Sequence, residues 1–193
     1  LENYDIAYRN DPDTWKDQKY INSLVYSYAA GLIAKNKKNK KKLLDIGCGY
    51  GDFVNSINKL PNCKGYGFDI SKVAILKGKK RLGKNLNTFQ GDIRNGIKKI
   101  KDKFDFITLN GALWYFLKDY KFVFKEINKI CHKNSNIIFT LTFPDGDPIG
   151  KEIIKNENDF YNLIKKHFYI IDNFTWVQKI NLFTKQRIKK KNS

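Results

Sequence analysis

The segment Leu43-Leu44-Asp45-Ile46-Gly47-Cys48-Gly49-Tyr50-Gly51-Asp52-Phe53 constrains this chain more than any other stretch. An apolar run of strand length breaks into three alternating glycines and then opens a helical pattern. Glycine lets a backbone turn sharply and approach a ligand where any Cβ would clash, so the segment predicts a strand-turn-helix with a ligand on the turn. A dinucleotide fingerprint would need glycine at position 52, where Asp52 stands, so the spacing here is G-x-G-x-G. Carboxylates at Asp45 and Asp52 repel a pyrophosphate and suit a cationic group.

Helical and strand patterns alternate along the remaining sequence, which predicts an α/β fold: a single Rossmann-like, doubly wound and mostly parallel sheet. A first helix is expected over about 17 to 34, with apolar positions at Ile21, Leu24, Val25, Tyr28 and Leu32. Strands are expected at Lys42 to Ile46, Lys64 to Phe68, Asn87 to Gln90, Phe104 to Leu109 and Asn136 to Leu141. The helices between them fall near 52 to 59, 71 to 82 and 119 to 131. After a further helix near 157 to 166, Tyr169 to Val177 and Ile180 to Ile188 are separated by a break so short that only an antiparallel hairpin fits. The expected sheet thus has seven strands with a terminal antiparallel hairpin. Residues 1–41 read as an N-terminal segment and helix ending in a basic linker, 42–188 as the ligand-binding core and 189–193 as a basic tail.

Two further carboxylates fall at strand ends. Asp69 closes the second strand 18 residues after Gly51, close to the spacing at which an acid accepts both hydroxyls of a ribose. Ser71 beyond it reads as a helix N-cap. Asp92 ends the third strand in Phe89-Gln90-Gly91-Asp92-Ile93 and is placed to take an adenine amino group. Each aspartate alone could be a turn former or a cap; three in series at successive strand ends point to one bound nucleoside.

With these residues in place, the chain resembles the class I S-adenosylmethionine-dependent methyltransferases. Asp45-Ile46-Gly47-Cys48-Gly49-Tyr50-Gly51 is similar to that family's first motif, and Asp69 and Asp92 fall where its second and third motifs place acids. Phe104-Asp105-Phe106-Ile107-Thr108-Leu109-Asn110 is similar to its fourth strand. The resemblance implies S-adenosylmethionine as cofactor and S-adenosylhomocysteine as product. It places the methionine part near Asp45, Gly47, Cys48, Gly49, Gly51 and Asn110, the ribose on Asp69, and adenine between Ile70 and Ile93 beside Asp92. No Asn/Asp-Pro-Pro-Tyr sequence follows the fourth strand, so the pattern for methylating a nucleic-acid base amine is missing; Asn110-Gly111-Ala112-Leu113-Trp114-Tyr115 stands there.

The formal charge of +18 raises the question of a nucleic-acid partner. Two runs, Lys35 to Lys42 and Lys185 to Lys191, supply eleven of the positive charges and leave +7 for everything else. Both runs are expected at the sheet edge opposite the glycine turn, so nucleic acid is the less favoured partner. Cys48, Cys63 and Cys131 are odd in number and lack a paired spacing, which predicts reduced thiols and no metal site. No apolar run reaches the ~20 residues of a membrane span, and Leu1 to Asp5 does not read as a signal peptide. A cytoplasmic protein is expected.

Trp114 and Tyr115 follow the fourth strand, where they could wall an acceptor pocket, and Phe116 reads as packing. Tyr8 and Trp15 are candidate lid residues. Asp145, with Asp147, lies in the loop after the fifth strand; Asp145 and Tyr115 are the candidate catalytic residues. His132 and His167 are expected between helices and strands at the edge away from the ligand, without a catalytic role. Cys48 reads as a contact, not a nucleophile. The expected activity is methyl transfer to a small metabolite, neutral or anionic. The alternatives are an RNA methyltransferase and a non-catalytic S-adenosylmethionine-binding regulator.

Overall fold

The computed structural model describes residues 4–10, 18–97, 100–141, 143 and 150–171. Its elements are α1 (Tyr4–Asn10), α2 (Gln18–Lys35), β1 (Lys41–Ile46), α3 (Asp52–Ile57), β2 (Cys63–Asp69), α4 (Lys72–Leu82), β3 (Thr88–Gln90), α5 (Ile93–Gly96), β4 (Phe104–Asn110), a 3-10 segment (Leu113–Asp119), α6 (Tyr120–Lys129), β5 (Cys131–Thr140) and α7 (Glu157–Ile164). The chain divides into two compact units, one up to Lys155 and one from Asn156.

The first unit holds a five-stranded sheet in the order β3-β2-β1-β4-β5, with every described pairing parallel. β1 lies at the centre, and its Leu43, Leu44 and Ile46 are at most 1% exposed. Burying each such side chain contributes about 1.5–3 kcal/mol. The strand order reverses at β1, and right-handed crossovers then place α3 and α4 on one face and α5 and α6 on the other. Ligands bind at such a switch point, outside the carboxyl ends of the strands.

Strands β1 to β4 follow expectation to within one residue at each end. β5 differs: it begins at Cys131, not Asn136. Phe104 pairs with Cys131 but Phe106 pairs with Asn136, so β5 carries an excursion that the ladder skips. Ser135 closes it, its hydroxyl donating to the Phe104 carbonyl at 2.6 Å and accepting the His132 N–H at 2.7 Å. Regular pairing with β4 resumes only at Asn136, where the apolar run Ile137-Ile138-Phe139 that marks the strand in the sequence begins. His132 consequently sits inside β5, not between helix and strand.

On α2 from Tyr26 onward the buried residues are Ala29 and Ile33, with Tyr28 and Leu32 half-buried; the side chains of Ile21, Leu24 and Val25 lie outside the described ones. Helix α1 had no counterpart in the sequence reading. In the second unit, α7 is capped by Asn156, whose side chain accepts the Asp159 N–H at 3.0 Å. Of the expected terminal hairpin, Tyr169 to Ile171 carry no strand, and Tyr169 is fully exposed. The rest of that hairpin lies outside the described residues. Among the described residues, no helix is long and apolar enough to cross a membrane.

Candidate functional site

The turn after β1 has the backbone its glycines require: Gly47, Gly49 and Gly51 have φ of 76°, 52° and 82°, all in the left-handed region. The N–H groups of Gly47 and Cys48 donate to the Phe68 carbonyl at 2.9 and 3.0 Å, binding the turn to the tip of β2. Helix α4 approaches so closely that a Cβ on Gly78 would fall inside the Tyr50 carbonyl.

Asp69 organises this edge. Its Oδ2 accepts the Gly49 N–H at 2.8 Å and its Oδ1 accepts the Ser71 N–H at 2.8 Å, with the residue 7% exposed. Ser71 is the N-cap of α4, as expected, its hydroxyl accepting the Ala74 N–H at 3.0 Å. Asp45 lies beneath the turn, and Asn110 closes β4 with its Oδ1 accepting the Thr140 hydroxyl at 2.7 Å. Burial raises the Asp69 carboxyl above its ordinary range, and nearby Asp5 raises it further. Burial likewise raises Asp45, and Asp69 adds to that shift. These carboxylates repel one another, so a cation among them is favoured.

The sequence reading missed Asp5. Its Oδ1 accepts the Ser71 hydroxyl at 2.6 Å and the Val73 N–H at 3.1 Å, which seats α1 on the first turn of α4. Lys77 Nζ donates to the Tyr8 carbonyl at 2.6 Å from the same helix. Tyr8 is thereby held over the glycine turn: a Cβ on Gly49 would lie 3.0 Å from its hydroxyl, and its ring meets Tyr50 edge-on at 5.1 Å. Tyr4 meets Tyr115 edge-on at 5.4 Å. A signal was present, since Tyr4 and Tyr8 share a face at i, i+4 spacing.

The remaining expected residues divide. Ile70 is half-buried and Ile93 buried at adjacent strand ends, and Asp92 caps α5 by accepting the Arg94 N–H at 2.8 Å. Trp114 meets Phe143 edge-on at 5.7 Å, Tyr115 is 40% exposed and Phe116 is buried. Cys48 is buried, and burial, Asp45 and Asp69 hold its thiol well above the usual range, against a nucleophilic thiolate. Asp52 departs from the reading that it faces a cationic ligand: it is paired with Arg81 at 2.5 Å. His132 stands at the amino end of β5, 4.0 Å from Asp105, away from the glycine turn. His167 follows α7 in the second unit, beside Phe168. Trp15, Asp145 and Asp147 lie outside the described residues.

A family model described as a methyltransferase domain matches residues 37–190. No curated protein matches the chain. Among solved structures, it is similar to DesVI of Streptomyces venezuelae, at 19% identity and TM-score 0.57 over 71% of this chain and 62% of that one. An S-adenosylmethionine-dependent methyltransferase from Clostridium acetobutylicum is similar at 21% identity and TM-score 0.56, over 70% and 56% of the two chains. CalS10 from Micromonospora echinaspora, an amino pentose methyltransferase solved with S-adenosylmethionine bound, is similar at 18% identity and TM-score 0.54, over 75% and 58%. The chain thus spans about three fifths of the length of these structures.

Proposed function

The chain belongs to the methyltransferase-domain family, an enzyme family that uses S-adenosylmethionine, and on that premise we propose that it methylates a small-molecule acceptor held at the carboxyl edge of β4 and β5. The cofactor supplies a methyl group on a sulfonium, already activated for in-line displacement. The chain's own work is then to bind, orient and exclude water. In this reading Asp45, Gly47, Cys48, Gly49, Gly51 and Asn110 surround the methionine part. Asp69 takes the ribose hydroxyls: each of its oxygens accepts one backbone N–H and keeps a second lone pair. Adenine lies between Ile70 and Ile93, with its amino group on Asp92. The charge of Asp5 acting on Asp69, and of Asp69 on Asp45, fits a cofactor that carries sulfonium and ammonium charges.

Tyr8 covers the turn, and Tyr4, Trp114, Tyr115 and Phe143 offer rings to the acceptor. Alignment supplies most of the acceleration in such a transfer, so no general base is assigned. A small acceptor, as opposed to RNA, is supported by the position of the basic run. Its residues from 35 to 42 lead into the amino end of β1, about 20 Å, one strand length, from the glycine turn. Two of its lysines are already paired, Lys38 with Asp105 at 2.6 Å and Lys42 with Asp102 at 3.1 Å.

The test offers methyl-labelled S-adenosylmethionine with a panel of small amines, alcohols and acids, and in parallel with total RNA. Label should pass to a small acceptor, and Gln at Lys37, Lys40 and Lys41 should reduce RNA adhesion without changing turnover. Loss of turnover together with RNA affinity, or label found only in RNA, would replace this reading with an RNA methyltransferase.

A further inference from the structure

Arg94 stands one residue past Ile93 on α5, and its guanidinium spans two carboxylates. Nε donates to Asp119 Oδ2 at 2.6 Å, while Nη1 stands 3.6 Å from Asp92 Oδ1. The same Asp92 oxygen accepts the backbone N–H of Arg94 at 2.8 Å. Asp119 is the last residue of the 3-10 segment that carries Trp114 and Tyr115. One side chain therefore joins the loop after β3 to the segment after β4.

Both contacts to Asp92 fall on Oδ1, which leaves Oδ2 to accept from a group bound beside α5. A guanidinium is planar and permanently charged, so it fixes the direction of the carboxylates it touches in a way that a lysine ammonium does not. A carboxylate fixed in one orientation accepts well from the 6-amino group of adenine and repels the 6-oxo group of hypoxanthine. The other end of the bridge acts on the 3-10 segment. Leu113, Phe116 and Leu117 bury one face of it, and the Arg94 contact fixes its C-terminal end.

We propose that Arg94 is a positioning residue that aims the Asp92 carboxylate at the adenine amino group and, through Asp119, couples adenine recognition to the segment that walls the acceptor. This rests on the assignment of Asp92 to adenine. As a surface ion pair alone, the bridge would contribute little, and its removal would leave base selectivity unchanged.

Calorimetric titration of the full chain with S-adenosylhomocysteine and with its 6-oxo counterpart, S-inosylhomocysteine, decides the matter. Arg94→Gln should lower affinity for the adenosyl compound about five- to tenfold and reduce its preference over the inosyl compound by a similar factor. Asp119→Asn, which retains Arg94, should shift both in the same direction by less, and the double variant should be no worse than Arg94→Gln alone. If Arg94→Gln unfolds, Asp119→Asn carries the test. Preference kept in the folded Arg94 and Asp119 variants but abolished in Asp92→Asn overturns the role of Arg94 while sparing the adenine assignment. Preference kept in Asp92→Asn removes that assignment, and the proposal with it.

Discussion

The Thr108 hydroxyl donates to Asp45 Oδ1 at 2.6 Å across the boundary between β1 and β4, and neither residue is more than 2% exposed. Burial pushes the Asp45 carboxyl up to about 7; the Thr108 hydrogen bond works against that shift, and the charge of Asp69 adds to it. The folded value lies above the ordinary 3.8, so the folded chain holds this proton more tightly than the unfolded one. Its contribution to stability is complete below about pH 4 and is lost as pH rises through about 7.

A cation on the glycine turn favours ionised Asp45, so cofactor binding should release a proton below pH 7. Affinity for S-adenosylmethionine should rise between pH 6 and 8, by at most about tenfold per pH unit. The rise should be shallower for S-adenosylhomocysteine, which lacks the sulfonium charge. Calorimetry in buffers of different ionisation enthalpy measures the proton directly, and Asp45→Asn should flatten both profiles. A flat profile in the parent protein would separate Asp45 from the cation.

Asp69→Ala should weaken both the fold and the cofactor complex. The substitution removes the acceptor for the Gly49 and Ser71 N–H groups. Hydrogen bonds to a charged group are worth about 1.5–3 kcal/mol each, so cofactor affinity should fall by about that amount and unfolding free energy by about 2 kcal/mol or more. Asp69→Asn keeps one acceptor oxygen and should lose less of each. Denaturant titration and calorimetry report the two losses separately; full affinity in a folded Ala variant would withdraw the ribose assignment.

Glycine to alanine should have opposite signs at two helical positions. At Gly31 on α2 an added Cβ meets nothing within 4 Å, so Gly31→Ala should stabilise by up to about 1 kcal/mol through helix propensity. At Gly78 on α4 the same atom would overlap the Tyr50 backbone, which is no flexible side chain and must move with the whole turn. Overpacking of about 1–3 kcal/mol outweighs the propensity gain, and cofactor affinity should fall although Gly78 itself is no proposed contact. Thermal melts of the two variants check the signs; a stabilised Gly78→Ala would mean that α4 does not press on the turn.

His132→Asn should leave methyl transfer within a few-fold of the parent once an acceptor is identified. The ring is at the amino end of β5, beside Asp105 at 4.0 Å, while ligands in such sheets bind outside the carboxyl ends. A loss of two orders of magnitude at unchanged stability would place the reaction at the other edge.

Local sequence determined the parts of this protein that a short stretch of backbone can specify. Three glycines in left-handed conformations, a buried β1, Ser71 as the cap of α4 and aspartates at the tips of three parallel strands follow from steric permission and residue period. Tertiary structure alone decided which side chains meet at those tips. Asp5 reaches Ser71 across 66 positions of sequence, Tyr8 comes to rest on Gly49, Arg94 joins Asp92 to Asp119, and Asp52 turns to Arg81. The reason is physical: periodicity encodes which face of its own element a residue occupies, whereas partners on different elements are set by the strand order β3-β2-β1-β4-β5 and by how closely the helices pack across it.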